Sequence, residues 1–216
     1  MTYHGTVQPG SPAVRELADL MVTKASVGPM DNDAYLLRCR STDTMLLVDA
    51  AAEAPTLLGL LAGEPLSTVV TTHRHHDHWG GLAAVVSATS AETVAGADDV
   101  EGIPVATDRA VSDGDLITFG DITLQVVSLV GHTPGSIALL YDDPTGPPHL
   151  WTGDSLFPGG PGRTTSAVDF ASLMTDLETK IFGVLPDETW IYPGHGDDTT
   201  LGAERPHLAE WRARGW

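Results

Sequence analysis

Residues 72–81 read Thr-His-Arg-His-His-Asp-His-Trp-Gly-Gly, and no other stretch restricts the chain as much. The string follows a β-branched run at 67–72 and precedes 81–89, where leucine, valine and alanine recur at helical density, so it occupies a strand-to-helix turn. Side chains alternate along extended backbone, so His73 and His75 leave the strand end on one side and can hold a metal ion together. Asp77 and His78 fall where the chain turns into the helix and point elsewhere, which invites a second ion. Gly80 and Gly81 let backbone pass close to the site.

Three partners stand just past apolar runs. His132 follows 124–130 through Gly131, Asp154 follows 150–152 through Gly153, and His195 follows 190–192 through Pro193 and Gly194. The repetition predicts that four strands bring ligands to one edge of a sheet. His73, His75 and His132 then make a neutral three-nitrogen site of the kind that activates water, while Asp77, His78 and His195 hold the second ion. Asp154 spans them, because a carboxylate has two oxygens and can bridge ions about 3.5–4 Å apart, which one imidazole nitrogen cannot do.

Other polar residues have plainer readings. His76 is a spacer between ligands or a supporting donor, and His4, His149 and His207 belong on the surface. Cys39, in an apolar strand, reads as a small buried hydrophobe, and the acidic pairs Asp98-Asp99, Asp142-Asp143 and Asp197-Asp198 as solvated loop charges. Trp79, Phe157 and Tyr192 flank ligands and suit either a pocket wall or core packing.

Around these motifs, runs at 34–39 and 44–48 predict a β-hairpin, and 55–61, with proline in its first turn, a short helix. Strands are expected at 116–119, 122–130, 136–141, 149–152 and 189–192; three-to-four spacing from Val168 to Phe182 predicts a helix over 169–184, and another is expected at 206–212. The stretch 91–109 gives no clear signal. This mixture implies an α/β fold with helices covering the sheet faces, and 216 residues suit one domain spanning 1–216.

The formal net charge is −18, and without a basic stripe such a surface repels phosphate backbones, which argues against nucleic acid as a partner. No apolar run reaches the roughly 18–20 residues of a membrane span, and the first twelve residues lack the pattern of a secretory signal, so a soluble, cytoplasmic protein is expected. One cysteine permits neither an intrachain disulfide nor a thiolate zinc cluster.

The motifs HRHHDHWGG, GHTPGS, TGDSLF and YPGHG resemble those of the metallo-β-lactamase superfamily, and within it the glyoxalase II-like hydrolases. The resemblance runs from His73 to about Glu204. It implies a four-layer αβ/βα sandwich and a binuclear centre with the ligand roles above, holding two divalent ions, zinc first, with iron or manganese compatible. It adds Asp49, at the end of an early strand, as a brace for the histidine turn, and Arg163 as a brace of the ligand network. The implied reaction is hydrolysis of a small hydroxyacyl thioester by a metal-bridging hydroxide, with Asp77 orienting the nucleophile and a thiolate leaving without a dedicated acid. Two other chemistries share these motifs: a persulfide dioxygenase with one iron on His73, His132 and Asp154, and a lactonase or other ester hydrolase. Only residues 196–216 follow the last ligand, too few for the helical domain that holds the thiol in glutathione-using glyoxalases.

Overall fold

Two mixed β-sheets face each other in the computed structural model, which describes residues 3–215. The first holds seven strands in chain order: β1 (Ala13–Glu16), β2 (Leu20–Val27), β3 (Asn32–Cys39), β4 (Met45–Val48), β5 (Leu66–Thr71), β6 (Glu92–Gly96) and β7 (Arg109–Val111). Pairing is antiparallel from β1 to β4 and parallel from β4 to β7. The second sheet uses β8 (Leu116–Phe119), β9 (Ile122–Ser128), β10 (Ile137–Tyr141) and β11 (His149–Gly153). After a small β12 (Leu156–Phe157) and β13 (Gly160–Pro161) hairpin it is completed by β14 (Trp190–Pro193) and β15 (Thr199–Thr200), in the order β15-β14-β11-β10-β9-β8.

Three apolar cores separate four layers. Val22, Leu37, Leu46 and Val70 of the first sheet meet Leu124, Val126, Leu139 and Trp151 of the second. On the outer face of the first sheet, helices α1 (Ala54–Leu60) and α3 (Leu82–Thr89) press Leu57, Leu82 and Val85 onto Leu36, Leu47 and Val69. On the far side, α4 (Ala167–Asp176) and its π-helical continuation (Leu177–Phe182) pack Phe170, Leu173 and Ile181 onto Val127, Leu150 and Ile191. Each such fully buried side chain contributes roughly 1.5–3 kcal/mol relative to exposure. Covered on both faces, β3 and β4 are buried almost throughout, whereas β9 alternates buried Ile122, Leu124 and Val126 with exposed Thr123 and Gln125. The result is the αβ/βα sandwich that the motifs imply.

The helix expected at 169–184 begins two residues earlier, at an N-cap where Ser166 Oγ accepts from the Asp169 amide. Val168, counted in its apolar face, is exposed. The closing helix α6 (Leu208–Arg214) is preceded by α5 (Leu201–Glu204) and a 3₁₀ turn at Arg205–His207, because Thr200 caps a separate start. Strands β1 and β2 gave no sequence signal, since Lys24 and Ser26 interrupt what would be an apolar run. The featureless stretch 91–109 forms β6, a 3₁₀ helix (Ala97–Gly102) and the first residue of β7.

Several polar residues lie deeper than expected. His149 is fully buried between the sheets, where its Nδ1 lies 2.9 Å from Tyr192 Oη. Asp99 is fully buried because it accepts from the Arg74 and Gly135 amides and the Thr133 hydroxyl, tying the histidine turn to the loop that carries His132. Asp143 is buried while closing its own turn onto Thr145. Asp198 is drawn inward by Lys24, Trp190 and Tyr3. His4 and His207 are exposed, and Cys39 is buried.

Candidate metal centre

The expectation of a single sheet edge is corrected by the topology. The histidine string leaves the end of β5 in the first sheet and enters the one-turn helix α2 (His76–Trp79), whereas His132, Asp154 and His195 follow β9, β11 and β14 in the second. The seven proposed ligands therefore meet where the ends of both sheets converge. Two glycines make the approach possible. Gly153 adopts φ +48°, the left-handed region that favours glycine, and any Cβ there would strike the Thr72 side chain. A Cβ on Gly194 would overlap Asp154 Oδ1 and crowd the His78 ring.

The ligand atoms fall into three overlapping groups, each within 4.8 Å: His73, His75 and His132; His73, His78 and Asp154; Asp77, His78 and His195. In the first group His132 Nε2 lies 2.8 Å from His75 Nδ1 and 3.2 Å from His73 Nε2. In the third, Asp77 Oδ2 lies 3.3 Å from His195 Nε2 and 3.8 Å from His78 Nε2. Asp154 stands between them, with Oδ1 3.3 Å from His78 Nε2 and Oδ2 3.6 and 3.5 Å from the Nε2 atoms of His132 and His195.

Hydrogen bonds behind the rings set which nitrogen faces inward. His132 Nδ1 donates to the Arg163 carbonyl at 2.6 Å, His195 Nδ1 to the Met30 carbonyl at 2.9 Å, and His78 Nδ1 to Asp49 Oδ2 at 2.8 Å, so each presents Nε2 to the centre. His73 Nδ1 rests 3.1 Å from Thr72 Oγ1, which itself donates to Asp49 Oδ2. Asp49 thus supports two rings and also accepts from the Thr72 amide, held in a left-handed conformation at φ +56°. Arg163 touches the network through its main-chain carbonyl, while its side chain is exposed. The carbonyls of Met30 and Arg163 carry no side-chain signature and could not be read from sequence; Thr72, beside the histidine string, could have been.

Electrostatics separates the rings. Burial holds His73 well below its ordinary pKa and His132 below it, keeping both neutral and fit to donate a lone pair. Burial also opposes charge on His78, but Asp49 and Asp154 outweigh it and push this ring up to about 10. Asp154 is held well below the usual carboxylate range: burial works the other way, and His195 and His78 overcome it.

The donor set suits metal ions. His78 Nε2 and Asp154 Oδ1, 3.3 Å apart, are buried and make no well-formed hydrogen bond among the described residues, a costly arrangement that a cation taking the place of the His78 proton would relieve. His76 is exposed, edge-on to Trp79 at 4.8 Å, and outside all three groups. Tyr192 is core, stacked on Trp151 at 4.9 Å; Phe157 is half-buried with its ring 6.3 Å from His195. A cleft of about 240 Å³ opens onto His75 and His132 between Arg74, Val130 and Thr165, whereas a larger one of about 640 Å³ follows residues 3–16 away from the ligands.

The sequence matches the Metallo-beta-lactamase superfamily over residues 27–195, and the chain belongs to that family. It is similar to the hydroxyacylglutathione hydrolase of Polaromonas sp. strain JS666, 36% identical over 166 residues that cover 76% of this chain. The chain spans about 62% of the length of the curated relatives it matches. Among solved structures, ETHE1 from Myxococcus xanthus aligns with a TM-score of 0.76 at 27% identity, covering 87% of this chain and 82% of the other. TTHA1623 in a di-iron-bound form aligns with a TM-score of 0.69 at 29% identity, covering 84% and 96%.

Proposed function

We propose that this chain is a binuclear metal-dependent hydrolase of a small hydroxyacyl thioester. The observation that carries the reading is Asp154, which stands between the two groups: Oδ2 lies 3.6 Å from His132 Nε2 and 3.5 Å from His195 Nε2, while Oδ1, 3.3 Å from His78 Nε2, is buried without a hydrogen-bond partner among the described residues. His73, His75 and His132 would hold one ion and Asp77, His78 and His195 the other, zinc being the first expectation and the di-iron form of TTHA1623 supporting iron as an alternative. Two bound divalent ions supply Lewis acidity, which lowers the pKa of water from about 15.7 toward 7 and polarises an acyl carbonyl.

The protein's own share is orientation and proton handling. The Asp77 carboxylate, at the rim, accepts a hydrogen bond from an attacking water and aims it. His132 and His195, tethered through Nδ1, keep their Nε2 lone pairs fixed as charge develops. The cleft on His75 and His132 seats the substrate, and a thiolate with pKa near roughly 8.5 leaves without a dedicated acid. The similarity to hydroxyacylglutathione hydrolases supports the thioester class.

A second reading rests on His73, His132 and Asp154, whose inward atoms make a two-histidine, one-carboxylate face suited to a single iron and oxygen chemistry on a persulfide. Elemental analysis of the purified protein, with assays of thioester hydrolysis and of oxygen uptake with a persulfide, separates the two. Two ions per chain with hydrolysis is the expected result. One iron with oxygen uptake and no hydrolysis would replace this reading with the second.

A further inference from the structure

We propose that Asn32 is the positioning residue for the group formed by Asp77, His78 and His195, acting on two of its three members. Asn32 opens β3 and is 1% exposed. Its Nδ2 donates to the Asp77 carbonyl at 2.8 Å and to Asp77 Oδ2 at 3.1 Å, so one amide fixes both the main chain and the carboxylate of that residue. Its backbone pairs with His195 in an isolated antiparallel bridge. Neighbours extend the grip: the Asp33 amide donates to the Gly194 carbonyl at 2.8 Å, the Gly196 amide to the Asp31 carbonyl at 3.3 Å, and His195 Nδ1 to the Met30 carbonyl at 2.9 Å. Beneath this loop the fully buried Lys24 ammonium donates to the Gly196 carbonyl and to Asp198.

The first group is held differently, His132 by the Arg163 carbonyl and His73 by Thr72, with no hydrogen bond to Asn32 among the described residues. Asn32 therefore acts selectively. Its hydrogen bonds leave Asp77 Oδ2 facing His195 Nε2 at 3.3 Å, the spacing of two ligands aimed at one point, and the role rests on the two-ion reading above.

Zn²⁺ titration of the full chain, stripped of metal and followed by chelator competition, tests it. Asn32→Leu keeps similar volume and removes the donor. The second dissociation constant is expected to rise about 10–100-fold with the first unchanged. On a His195→Ala background, which retains the first ion, adding Asn32→Leu is expected to leave the remaining constant within about twofold. Should Asn32→Leu fail to fold, Asn32→Ser gives the same readout. Both constants unmoved, both raised together, or a weakened remaining ion on the His195→Ala background would overturn the role of Asn32 while leaving the two-ion reading intact. A wild-type chain that takes up one Zn²⁺ would overturn both.

Discussion

Two buried polar regions meet beneath the loop at Gly194–Gly196, and they are built on opposite rules. In the ligand centre, imidazole nitrogens crowd to 2.8 and 3.2 Å, and His78 Nε2 and Asp154 Oδ1 find no partner among the described residues. Around Lys24 the ammonium meets four oxygens, the Gly5 and Gly196 carbonyls and the carboxylates of Asp33 and Asp198; the three charged side chains have no exposure, and Asp33 Oδ1 is left without a partner among the described residues. One ammonium faces two carboxylates there, so burial still pushes Asp33 up to about 8 despite Lys24. Convergent lone pairs without donors mark a place where the fold gives up stability to receive a ligand; a cation ringed by acceptors marks scaffold.

Removing Asp154 tests the contrast most severely. Asp154→Ala is expected to lose metal and turnover together, by about 10⁴-fold in rate, because the activated nucleophile and the polarised carbonyl vanish at once. Full metal content with normal turnover would sink the bridging assignment.

Lys24→Met makes the opposite perturbation. The buried Asp198 carboxylate loses its counter-charge, and Asp33 beside it the donor that faces it, at a cost of roughly 3–5 kcal/mol, read from urea unfolding of the metal-free chain. A variant as stable as wild type would place Lys24 outside the scaffold and erase the contrast.

His149 supplies a somewhat smaller effect and extends the scaffold side to pH. Burial, reinforced by Arg15, lowers this ring to about 4 against an ordinary value near 6.5. The unfolded chain therefore binds the proton more readily, and the contribution of His149 to stability, complete above about pH 6.5, is lost as pH falls toward 4. The loss is on the order of 3 kcal/mol. His149→Gln should flatten this limb in urea titrations between pH 7 and 4.5. An unchanged slope would show that the ring titrates normally.

Spacing and residue type made the centre legible because a ligand must be imidazole or carboxylate and must stand where backbone exits a strand. His73, His75, Asp77, His78, His132, Asp154 and His195 could all be proposed on those grounds, and the fold brings them together. The same logic misjudged Asp99, Asp198 and His149, since a polar residue in a loop or beside prolines looks solvated until its partners are known. It was blind to β2, whose Lys24 can be buried only because Asp33 and Asp198, distant in the chain, arrive to neutralise it.

What the amino-acid order determined by itself was the chemical inventory and its local geometry: strand, glycine and ligand, repeated, with a histidine turn leading into a helix. Only the tertiary structure decided that these exits belong to two sheets, that Asp154 stands between two groups, and that main-chain carbonyls at Met30 and Arg163 orient two of the rings. Side-chain chemistry is written residue by residue, whereas a backbone oxygen is the same at every position. Its role appears when packing brings it to a particular imidazole.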